Sequence, residues 1–142
     1  RLPLAGAASV EVLVDRQSIL GNPFGLRGEG SRGAVLAAYE EYLDLVLSAG
    51  CGPGDVERLE TRGGQRFSVD CSPGWRSMYE AAGGPRGVRA AFAELRALVG
   101  SCQERGGGVR LVCHCVPKAC HGEVLAARLA RGSGEPRQGP AA

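Results

Sequence analysis

Apolar positions along this chain change period several times, and each change marks an element. Residues 9–14, Ser-Val-Glu-Val-Leu-Val, alternate and then run apolar, as a buried strand does. Residues 109–113, Val-Arg-Leu-Val-Cys, repeat that signature after a Gly106-Gly107-Gly108 turn. Two stretches between them carry a helical period instead. Val35, Tyr39, Tyr42, Leu43 and Val46 share one face of a predicted helix that Ser31 can cap and that runs to about Ser48. Val88, Phe92, Leu95 and Val99 mark a second helix, ending at Gly100 or a little beyond. Val124, Leu125 and Leu129 face inward on a third, from Cys120 to about Arg131. Strand, helix, helix, strand, helix predicts an α/β fold: a small layered domain with a short, mostly parallel sheet flanked by helices.

Residues 50–86 carry no such period. Gly, Pro and Arg punctuate them, with a short strand expected around 66–69 and a helical turn around 75–82. Too few apolar residues are present for a separate core, so the stretch reads as an insertion on a single α/β domain spanning 9–131. Residues 1–8 read as a lead-in, and 132–142 as a linker-like, disordered tail. No internal repeat is visible.

A chain of 142 residues suits one domain, and 44% hydrophobic residues suffice for a core. No apolar run approaches the roughly 20 residues of a membrane span. The chain begins at Arg1 rather than Met, which predicts a trimmed N-terminus and leaves room for an upstream targeting segment. A net charge of +2 makes no electrostatic case for nucleic-acid binding. Lys118 is the only lysine among the 17 basic residues, a bias expected of GC-rich codons, so each Arg counts for less as an anion ligand. Of the 6 cysteines, Cys113, Cys115 and Cys120 crowd together, and two Cys of one strand rarely bridge each other. Reduced thiols, metal ligation or catalysis fit this spacing better than disulfide staples, so the expected location is the cytoplasm or another reducing compartment.

The chemistry-bearing segment is Cys113-His114-Cys115-Val116-Pro117-Lys118-Ala119-Cys120-His121. Strand alternation puts Cys113 and Cys115 on one face, and Pro117 turns the chain. Cys120 and His121 then fall at a helix N-terminus, where amide N–H groups favour a thiolate or an anion. One reading is a reactive thiolate, Cys120, activated by the helix end and by His121. Another is a partial metal site, zinc by donor chemistry, drawn from Cys113, Cys115, Cys120 and His121; neighbouring Cys120 and His121 have trouble pointing at one tetrahedral ion. In a third, Cys113 is a small buried hydrophobe and His121 makes a helix-start hydrogen bond.

Gly21-Asn22-Pro23-Phe24-Gly25 is a second compact segment. Asn22 offers donor and acceptor groups, and its backbone is held extended before Pro. Phe24 either presents a ring to a base or plugs the core. Arg16, Ser18 and Arg32 flank the loop as further candidate ligand contacts. Both segments follow a predicted strand and so can meet at one sheet edge, where ligands of α/β folds gather.

Together these blocks resemble the domain-of-unknown-function 4326 family, small proteins of phages, bacteria and some eukaryotes. The resemblance rests on Arg16, Ser18, Gly21-Asn22-Pro23-Phe24, Ser31-Arg32, Tyr39, Tyr42-Leu43, Leu111, Cys113, Cys115, Pro117 and residues 120–125. His114 stands where the family more often carries Trp, and 50–86 is longer than expected between the helices. The resemblance implies an α/β fold and a site, but names no reaction.

Three functions follow as expectations. The first is an enzyme or binding protein for a nucleotide-like or otherwise phosphorylated small molecule, with Cys120 as nucleophile or sensing thiol, His121 its partner and Asn22 an orienting group. The second is a zinc-stabilised interaction module without catalysis. The third, a phage-type nucleic-acid accessory protein, is opposed by the charge. Neither a cofactor other than zinc nor an oligomeric state is readable.

Overall fold

The structure, a computed structural model, describes residues 9–15, 17–25, 32–112 and 121–131. Its elements run β1 (Ser9–Leu13), α1 (Arg32–Val46), α2 (Pro53–Glu57), α3 (Phe67–Asp70), α4 (Pro73–Ala81), α5 (Pro85–Glu104), β2 (Gly108–Val112) and α6 (His121–Ala130). Strands β1 and β2 pair in parallel, from Ser9 opposite Gly108 to Leu13 opposite Val112. Parallel pairing demands a long crossover, and helices α1 to α5 supply it. The expected α/β architecture, a short parallel sheet flanked by helices, is therefore what forms.

Elements with clear periodicity stand close to their expected bounds. Helix α1 buries Val35, Tyr39, Tyr42, Leu43 and Val46, the face its spacing predicts, together with Ala38. Helix α5 buries Val88, Phe92 and Leu95, but runs through Gly100 to Glu104. An interior Gly costs a helix only about 1 kcal/mol, and the apolar stripe outweighs it. Helix α6 is tied to α1 by an ion pair between Arg128 and Asp44. Helix α5 is tied to the end of α1 by Arg89, whose Nη1 donates to the carbonyls of Val46 at 2.9 Å and Cys51 at 3.3 Å. The predicted Ser31 cap, the lead-in and the tail lie outside the described residues.

The stretch 50–86 differs from expectation. The predicted strand at 66–69 is helix α3; Arg66 keeps only an isolated antiparallel bridge to Glu60. Three short helices fill the stretch, and Val56, Phe67, Trp75 and Tyr79 enter the same buried cluster as α1 and α5. The stretch forms one wall of the core. Phe67 lies 5.8 Å from the Tyr42 ring and nearly parallel to it, and edge-on to Phe24 and Trp75. Arg76 closes the outside. Its guanidinium sits 5.3 Å from the Phe67 ring centre and pairs with Glu57 at 2.5 Å and Glu80 at 3.0 Å. Pro53, Pro73 and Pro85 each stand in the first turn of a helix, where the missing N–H costs nothing. Gly83 and Gly84 have φ of 105° and 67°, which lets the chain reverse from α4 into α5.

Candidate functional site

The C-terminal ends of both strands lie together, and Val14 is the junction. Its amide donates to the Val112 carbonyl at 2.8 Å, adding one rung beyond β1. Its carbonyl faces Nε2 of His121, the first residue of α6. A carbonyl oxygen only accepts, so Nε2 is the N–H donor of this bond. His121 is buried, and Tyr39 meets its ring edge-to-face at 5.3 Å. One residue thus gathers β1, the end of β2 and the start of α6.

The loop after Val14 is built from its own side chains. Asp15 Oδ1 accepts the Gln17 amide at 2.9 Å, and Ser18 Oγ accepts the Leu20 amide at 3.1 Å. These side chain to backbone bonds hold a tight turn without regular structure. Trp75 Nε1 donates to the Ser18 carbonyl at 3.1 Å, and the Tyr39 hydroxyl donates to the Leu20 carbonyl. Burial holds the Tyr39 phenol far above its usual range, so it remains a neutral donor.

Asn22 is buried with its amide turned inward. Its Oδ1 accepts the Phe24 amide at 2.9 Å, and its Nδ2 donates to the Val35 carbonyl at 3.3 Å. It shapes the loop and fastens it to α1. The expectation that Phe24 presents its ring to a base is corrected: the residue is 0% exposed, edge-on to Tyr42 and Phe67. Serving as a bulky anchor beside Pro23, it fixes where the loop leaves the core. Ser18 likewise serves the turn, and Arg32 opens α1 half-buried.

Of the expected Cys–His centre, the described residues include His121; Cys113, Cys115 and Cys120 lie outside them, as does Arg16. Cys51, Cys71 and Cys102 are buried, unbridged thiols elsewhere. Burial pushes the Cys71 thiol up to about 11, which keeps it protonated and poorly nucleophilic at neutral pH.

Two contributors were not singled out by sequence reasoning. Tyr39 was read as a core position of α1, yet it bridges the loop and His121. Asp15 has no part in the sequence reading, yet it is a carboxyl only 6% exposed, one residue past the strand junction. A polar residue directly after an apolar strand was the available signal for Asp15.

Among the described residues no helix is long and apolar enough to cross a membrane. Neither the curated proteins nor the solved structures show a match to the chain. The family described as Domain of unknown function (DUF4326) matches residues 5–131, from before β1 to the end of α6. The chain belongs to that family.

Proposed function

We infer that the chain binds a small nucleotide-like or otherwise phosphorylated molecule at the C-terminal edge of its strand pair, with Cys120 as nucleophile or ligand-sensing thiol and His121 as its partner. The observation that carries this reading is Val14, joined to the end of β2 through its amide and to the start of α6 through its carbonyl. Ligands of parallel sheets collect outside the carboxyl ends of the strands, and a helix start offers N–H groups to an anion. His121 directly follows Cys120 in sequence and is held at the start of α6 by the Val14 carbonyl, and a Cys–His pair can activate a thiol. Asn22 then acts on the ligand indirectly, by holding the loop.

The test is thiol reactivity in protein purified under reducing, chelator-free conditions. Cys120 is expected to alkylate near neutral pH roughly tenfold or more faster than Cys51, Cys71 and Cys102, with the fast phase lost in Cys120→Ser. A thiol at 120 as slow as the buried ones contradicts the reading. The same contact between His121 Nε2 and the Val14 carbonyl supports a second reading, a zinc-stabilised module, because a ligating His commonly anchors its other nitrogen on a carbonyl. Elemental analysis separates the two: about one zinc per chain, lost in Cys120→Ser, makes the segment a metal site.

A further inference from the structure

A groove of about 430 Å³ runs between α5, β2 and α6, lined by none of the residues gathered around Val14. Val109 and Leu111, on one face of β2, form its floor. Val99 of α5 and Leu129 of α6 form its walls, and all four side chains remain half-buried. The strand pair is narrow, so two helices lean on β2 without closing over it.

Polar chemistry enters this apolar groove at Arg96. Its Nε is buried and has no hydrogen-bond partner. Its guanidinium lies 4.9 Å from the Phe92 ring centre, which fixes the side chain against α5. Neither Asp nor Glu lines the groove, and Arg96 belongs to none of the ion pairs among the described residues. Arg96 thus brings one positive charge with no carboxylate of the described residues to balance it, and the remaining N–H groups of its guanidinium can meet an anion at the groove.

We propose that this groove binds an apolar molecule with a single carboxylate head, its tail over Val109 and Leu111 and its carboxylate on Arg96. The planar guanidinium pairs in two-pronged fashion with a carboxylate, whereas a phosphate dianion leaves charge uncompensated by one Arg in an apolar cleft. Arg96 and Gln103, both lining the groove, stand seven positions apart along α5, a helical rise of about 10 Å, which suits a medium-length alkyl tail. Gly100 sits midway, and a Cβ placed there would meet nothing within 4 Å. The slot's depth over α5 thus comes from a glycine that the packing does not require.

The full chain is titrated with octanoate, octanol and octylammonium, followed by calorimetry and by amide shifts. Octanoate is expected to bind saturably, moving the amides of Val99, Gly100, Val109 and Leu111, and to bind at least about tenfold more tightly than octylammonium. Arg96→Leu is expected to remove the preference for octanoate over octanol. Gly100→Leu, which improves helix propensity, is expected to abolish binding of octanoate and octanol with the melting temperature kept or raised. The proposal is overturned if octanoate does not bind saturably, if head-group charge makes no difference, or if folded Gly100→Leu binds octanoate like the parent.

Discussion

Phe67→Ala is expected to lower the unfolding free energy by about 3–5 kcal/mol, the cost of truncating a buried aromatic. Phe67 belongs to α3, a helix of 4 residues whose own hydrogen bonds cannot sustain it. It is 0% exposed and lies against four other rings: Phe24, Tyr42, Trp75 and Tyr79. Removing it opens a cavity that those rings cannot fill without leaving their positions. The control is Val69, which is 68% exposed on the same short helix; Val69→Ala is expected to change stability by less than about 0.5 kcal/mol. Urea denaturation of the pair measures the difference. Equal, small effects would mean that 50–86 is a surface appendage after all.

The second large effect falls on His121. His121→Ala is expected to cost about 1–3 kcal/mol, because the carbonyl of buried Val14 loses its donor, and the edge contact with Tyr39 goes as well. His121→Gln separates fold from chemistry. The Gln amide nitrogen can donate to the same carbonyl, while nothing replaces the titratable imidazole. Gln is therefore expected to recover most of the stability lost in the Ala variant, yet to slow alkylation of Cys120 as much as Ala does. If Gln restored both stability and thiol reactivity, His121 would be a strut and not a partner to the thiol.

Five elements were legible because each is long or regular enough to show a period. In α1 the spacing of Val35, Tyr39, Tyr42 and Val46 is the buried stripe itself. The helices of 50–86 are 5, 4 and 9 residues long, too short for a helical period to rise above noise. The legible sign of two of them was a proline at the helix start, Pro53 of α2 and Pro73 of α4, which as sequence looks like loop punctuation. Arg66-Phe67-Ser68-Val69 alternates like a strand, but Phe67 has its packing satisfied by rings from α1 and α4, and tertiary contact overrides the local pattern. Within the site, sequence marked the loop and the histidine. It did not show that Asn22 turns inward, because the acceptor that draws it, the Val35 carbonyl, is 13 residues away.

The most direct test of the account is to map where a phosphorylated ligand lands. The isotopically labelled full chain is titrated with a panel of nucleoside mono- and diphosphates and with inorganic phosphate, following backbone amides. Saturable shifts centred on Val14, Asp15, Gly21, His121 and Gly122, with Val69 and the α5–α6 groove unmoved, are the predicted result. Saturable shifts centred elsewhere, or none with any member of the panel, would contradict the assignment of the working site to the C-terminal edge of the strand pair.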